Sequence, residues 1–149
     1  KANHDLELSV WPVEYGKGQL AWDATNSLWV VSARTSCVNE DSNRNGQLDS
    51  GEDTNANFIL TPGLPISLPS NSVRTDSAGL VSFVVRYGKQ YAHWIRGALS
   101  AKATVEGTES SSTYTDWLPI LVDDIGDQAI PPAAANSPFG TAALCTDSN

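Results

Sequence analysis

Residues 41–52 read Asp-Ser-Asn-Arg-Asn-Gly-Gln-Leu-Asp-Ser-Gly-Glu. With Asp41 as position one, Asn43 and Asn45 stand at three and five, Gly46 at six and Gln47 at seven. Asp49 follows at nine and Glu52 at twelve. A curling loop turns every second side chain toward one centre, and each of these residues offers a hard oxygen there. That chemistry suits Ca2+, which takes roughly six to eight oxygens at about 2.3–2.6 Å. Gly46 permits the sharp turn that brings the Gln47 carbonyl inward. Glu52 can close the shell with two oxygens, and Leu48 is expected to anchor the loop on an apolar surface. The predicted metal ligands are Asp41, Asn43, Asn45, Gln47, Asp49 and Glu52, with Asp53 beside them.

The spacing is that of an EF-hand calcium loop, without the helices that flank one. A β-like run ending at Cys37 precedes it, and Asp53-Thr54-Asn55-Ala56-Asn57 follows. The loop therefore reads as a calcium-binding insert on a β scaffold, the alternative being a solvated Asn/Asp/Gly hairpin. A second, weaker copy starts at once. Asp53, Asn55 and Asn57 repeat the opening, but Phe58 replaces the turn glycine, and Thr61 and Leu64 stand at nine and twelve. This copy lacks a closing carboxylate. It either shares a ligand with the first loop, holds a weak second ion, or is a turn into a strand at 58–60. Asp123, Asp124 and Asp127 form a further acidic group, read as solvated unless a disulfide brings them to the same ion.

Little else points to reaction chemistry. His4 and His93 are isolated, and no nucleophile elbow, Cys–His pair, phosphate loop or H-E-x-x-H is present. We therefore expect no enzymatic activity, although sequence alone does not reveal two carboxylates meeting across a cleft. Five tryptophans and four tyrosines open a carbohydrate-binding alternative, since exposed rings stack on sugars. Core packing is the other use of such rings.

The elements that must hold the loop are strands. Leu6, Leu8 and Val10 alternate with Asp5, Glu7 and Ser9, the period of a half-buried strand. Residues 28–35 and 80–87 are β-branched and aromatic, and Asp76-Ser77-Ala78-Gly79 supplies turn chemistry before the latter. In 95–105, Ile95, Gly97, Leu99, Ala101, Ala103 and Val105 face one way and more polar residues the other. Glu106-Gly107-Thr108 then predicts a tight turn into a strand over 109–118. Residues 89–94 are long enough for one helical turn. Prolines break 61–70 and 126–149 into irregular pieces. No long amphipathic helix appears, so the expected fold class is all-β, an antiparallel sandwich. Cys37 and Cys145 read as one disulfide, with free thiols as the alternative. The bridge spans a separation of 108 residues and is worth at most ~4–5 kcal/mol by chain entropy.

The 149 residues suffice for one core plus a tail. The net charge of −8 argues against nucleic acid, which needs clustered Lys and Arg. Residues 40–53 hold five acids and one base, and 118–149 hold four acids and no base, so the acidity belongs to two segments. No run is long and apolar enough for a membrane helix. The chain opens at Lys1 without methionine and reads as a processed or excised piece.

Cys37 to Pro65 and Arg74-Thr-Asp-Ser-Ala-Gly-Leu-Val-Ser-Phe-Val-Val-Arg-Tyr87 resemble segments of bacterial group 1 Ig-like (invasin/intimin-type) domains. In those repeats a Thr-Asp…Gly turn leads to an apolar strand, an aromatic residue and an alternating strand. Tyr91 and 95–105 keep that order, and the resemblance covers roughly 28–118. It departs in the insert of about 25 residues and in the Pro-rich tail. It implies an exported protein, extracellular, at a bacterial cell surface or in the periplasm. The implied role is structural or adhesive, beside neighbouring domains or against a host, matrix or glycan ligand. The expected layout is an Ig-like β-sandwich over 1–125, carrying the calcium insert at about 38–63. An irregular tail over 126–149 is tied by the disulfide.

Overall fold

The computed structural model describes residues 2–149. The alternation at 5–10 opens a much longer strand, β1, Asp5–Asp23. Pro12, Gly16 and Gly18, residue types that weaken strands, lie inside it. Pro12 sits at an irregularity in the pairing between Pro12 and Glu14, where a residue without an N–H is tolerated. Beyond it β1 changes partners. Its first half pairs antiparallel with β6, Ile95–Val105, and its second half with β2, Leu28–Val38. The main sheet has the order β2-β1-β6-β7, with β7 at Thr108–Trp117. β4, Ser72–Arg74, pairs with the start of β1, and β3, Ile66–Ser67, pairs with β5, Arg86–Tyr87, in a small second sheet. The chain is all-β, antiparallel and sandwich-like, with two single-turn 3-10 helices at Lys89–Tyr91 and Val122–Asp124.

The β6–β7 hairpin follows the sequence closely. Glu106 and Gly107 both have positive φ, 52° and 79°, as a two-residue turn matched to strand twist requires. The β6 faces are less distinct than the alternation predicts. Ala98 is as buried as Ile95, because the start of the strand is covered on both sides.

Residues 80–87 depart from expectation. Only Arg86 and Tyr87 enter a ladder; 80–85 have none, and Leu80, Phe83 and Val84 are exposed. Both edges of β6 are already occupied, by β1 and β7, so the segment finds no edge there. The proposed strand at 58–60 is likewise absent.

The tail has no regular strand, but it pairs. Past Tyr15, β6 no longer reaches β1, and the freed edge is taken by the tail. Gly18 N–H donates to Gly140 O at 2.9 Å, Ser137 N–H to Gly18 O at 2.9 Å, and Leu20 N–H to Ala135 O at 2.8 Å. A buried edge must find such partners. Trp94 Nε1 donates to Ala134 O at 2.7 Å, and the buried Lys17 amine donates to the Leu144 and Asp147 carbonyls. One core cluster centres on Tyr15, Ile66, Ile95 and Leu118, the other on Leu20, Trp94 and Ala134, with Phe139 packed against both. Cys37 and Cys145 form the disulfide, with Cα atoms 5.5 Å apart. No helix among the described residues is long and apolar enough to cross a membrane.

Candidate metal centre

The insert leaves the sheet two residues after the disulfide and is fastened at the β1 irregularity. Asn39 N–H donates to Val13 O at 3.1 Å, and its amide donates to Pro12 O at 2.7 Å. Glu40 N–H donates to Thr61 O at 2.9 Å and closes the base of the excursion. The Arg44 guanidinium lies 4.2 Å from the centre of the Trp11 ring, a cation–π contact between loop and β1.

Within the first loop, the Asp41 carboxylate accepts the Asn45 and Gly46 N–H groups, both at 2.9 Å. Asn43 Oδ1 accepts the Asn45 N–H at 3.0 Å, and Asn45 Oδ1 accepts the Gln47 N–H at 2.7 Å. Each of these oxygens keeps a second lone pair. The two amides then meet on one carboxylate, donating to Asp49 Oδ2 at 2.8 and 2.7 Å. Positive φ at Arg44 (61°) and Gly46 (75°) produces the curl. Asp41, Asn43, Asn45 and Asp49 are thereby brought together, while the Gln47 side chain is exposed and only its backbone belongs to the loop. Leu48 is half-buried.

Glu52 reaches back across the loop. Its Oε1 accepts the Ser42 hydroxyl at 2.7 Å and the Ser42 N–H at 2.9 Å, and its Oε2 accepts the Asp49 N–H at 3.0 Å. The Ser42 hydroxyl, followed by the Asp49 N–H, holds the Glu52 carboxyl below the usual carboxylate range. No three His, Cys, Asp or Glu side chains among the described residues converge as a metal cluster. The donors are instead a mixture of carboxylate, amide and backbone oxygens, a set that suits a hard cation.

Asp53 faces away from the first loop and into the second. Its carboxylate accepts the Asn57 and Phe58 N–H groups, both at 3.0 Å. Asn55 Oδ1 accepts the Asn57 N–H at 3.1 Å, and Asn57 Oδ1 accepts the Ile59 N–H at 2.7 Å. Both amides donate to Thr61 Oγ1, at 3.1 and 3.3 Å. Ala56 (φ 55°) and Phe58 (φ 61°) repeat the positive angles of Arg44 and Gly46. The second loop thus repeats the backbone and asparagine hydrogen bonds of the first.

Sequence reasoning missed Glu40. It is buried, and its Oε1 accepts the Thr54 and Asn55 N–H groups at 3.0 and 3.2 Å, while Oε2 accepts the Thr61 N–H at 2.9 Å. Glu52 does the same for Ser42 and Asp49 in the first loop. The legible signal was a twelve-residue repeat: Glu40-Asp41-Ser-Asn-Arg-Asn matches Glu52-Asp53-Thr-Asn-Ala-Asn, with a glutamate before each leading aspartate.

The remaining acidic group lies elsewhere. Asp124 pairs with Lys89 at 2.6 Å, and Asp127 O accepts Trp29 Nε1 at 2.9 Å. Trp29 and Cys37 stand at opposite ends of β2, about 26 Å apart along a strand, so these carboxylates do not join the loop. None of the five tryptophans is fully exposed. Trp94 is wholly buried, Trp22 packs edge-on to Trp29, and Arg34 stacks on Trp117 at 3.8 Å. The exposed aromatic rings among the described residues are instead Phe58, Phe83 and Tyr114. Comparison with known proteins finds no matching family model, no matching curated protein and no matching solved structure.

Proposed function

We propose that this chain is a non-catalytic structural or adhesive module of an exported bacterial surface protein, Ig-like in plan, whose insert is made rigid by calcium. The observation that supports the reading is the convergence of Asn43 and Asn45 on Asp49 beside Asp41, in the order that the ligand spacing requires. The Cys37–Cys145 bridge fits an oxidising compartment. Residues 40–53 hold five acids against one base and too few apolar groups to order themselves without the cation. Extracellular sites of this kind bind at about 10⁻⁴–10⁻³ M.

Calcium that binds only the folded chain stabilises it by about 2.7 kcal/mol at 100-fold excess over Kd. For a domain of this size that is a melting-point rise of roughly 5–10 °C. EDTA is expected to remove the rise and speed hydrogen exchange over 38–57 while the sheet stays protected. Glu52→Gln is expected to reproduce much of the chelator's effect at the same calcium concentration. A midpoint that EDTA leaves unmoved sinks the reading.

A further inference from the structure

We infer that the second loop binds a divalent cation of its own, held by Asp53, Asn55, Asn57 and Thr61 and closed by Glu40 from outside the loop. The inference rests on the calcium reading of the first loop and extends it. Thr61 Oγ1 is the point where the loop converges: the Asn55 and Asn57 amides reach it at 3.1 and 3.3 Å, and Thr61 Oγ1 itself donates to Ile59 O at 3.0 Å. The Asp53 carboxylate, the Asn55 and Asn57 Oδ1 atoms, the Ile59 carbonyl and Glu40 Oε2 each keep a free lone pair. Thr61 Oγ1 joins them when the ion takes the place of the two asparagine amides, which brings the set within the roughly six to eight oxygens that calcium takes.

An observation outside the loop points to a ligand. Tyr15, on β1, is 1% exposed, and its hydroxyl is one of two buried side-chain polar atoms without a hydrogen-bond partner among the described residues. That hydroxyl lies beside the Asn55 side chain, without a hydrogen bond of normal geometry, and within reach of the Glu40 charge. Glu40 and Asn55 are themselves 4% and 5% exposed, and no salt bridge reaches Glu40 among the described residues. The Glu40 carboxylate has three backbone N–H donors but no counter-charge among the described residues, and a buried hydroxyl without a hydrogen bond lies beside it, so the desolvation cost is only partly met. A divalent ion supplies the missing positive charge, and a water on that ion supplies a partner for Tyr15. Calcium commonly keeps water in its shell.

The two sites are reciprocal. Glu40 precedes the first loop and closes the second; Glu52 precedes the second loop and closes the first. The twelve-residue repeat therefore acts as one two-ion unit, and the copy that lacks a closing carboxylate of its own takes the one its neighbour does not use.

Calorimetric titration of the chelator-stripped full chain with CaCl2 alone tests this. The wild type is expected to bind two ions. Glu40→Gln and Asp53→Asn should each weaken one of them by about tenfold or more and leave the other in place, as should Glu52→Gln for the first loop. Circular dichroism without calcium checks that each variant is folded; if Glu40→Gln is not, Asp53→Asn decides. One ion in the wild type, unaffected by Asp53→Asn, overturns the second site while the first-loop reading stands. Two ions that both survive Asp53→Asn also overturn it. No ion at all removes both readings together.

Discussion

His93 shows how one residue ties backbone to sheet chemistry. Its φ of 63° lies in the left-handed region, and Arg34 Nη1 donates to its carbonyl at 3.1 Å. Burial, with the Arg34 charge beside it, pushes the imidazole pKa below its ordinary value. The sign follows by linkage. The unfolded chain takes up a proton near pH 6.5, where the folded chain resists it, so stability present above that pH is lost as pH falls toward the depressed folded value. Carboxylates with lowered values, such as Asp116 beside the Tyr114 hydroxyl, act only below about pH 4. His93→Asn, which keeps a residue tolerant of positive φ, should therefore flatten the fall in melting temperature between pH 7.5 and 5. An identical slope in wild type and variant would count against this account. At this scale the sequence was informative about the first loop, where all predicted donors lie within twelve positions. Glu40 was marked only by the twelve-residue repeat, because its partners lie 14 to 21 residues downstream.

The strand β1 is the element on which everything else depends, and its glycines show why. Gly18 has φ of 145°, and a Cβ there would stand 2.0 Å from Ala33 O on β2. The pairing with β2 shifts register one residue later, between Gln19 and Leu20. Gly18→Ala meets both a forbidden backbone angle and a backbone clash. It should cost more than about 3 kcal/mol in a denaturant melt, whereas an alanine at Gly107, which meets nothing within 4 Å, should cost much less. Equal losses at the two positions would refute the close-approach explanation. The hairpin β6–β7 was readable because alternation and turn residues agree locally. Residues 80–85 were misread for the opposite reason: strand propensity describes a side chain's fit to a pleated surface, and only Arg86 and Tyr87 meet a partner strand, β3.

Across the whole molecule, the tail acts as a missing strand. It supplies hydrogen bonds to the β1 edge that β6 abandons, and it delivers Ala134 and Phe139 to the core. The disulfide links this cover to the end of β2, two residues before the insert begins. Cys37→Ser with Cys145→Ser should lower stability by up to ~4–5 kcal/mol. Hydrogen exchange should rise first over 126–149. A doubly substituted chain with unchanged stability and an unchanged tail would mean that the bridge constrains nothing that packing does not already hold.

The sequence by itself determined what short-range spacing can encode: an all-β chain, the 95–117 hairpin, the order of oxygen-bearing residues from Asp41 to Glu52, and a pair of cysteines to join. Tertiary structure decided the rest. It turned Asp53 into a second loop, set Glu40 against that loop and Tyr15 against both, and carried Asp123, Asp124 and Asp127 to the far end of β2. Periodicity and motif spacing record neighbours along the chain. Which carboxylate closes which loop, and which edge remains free for a tail, depend on where distant segments meet once the sheet has formed.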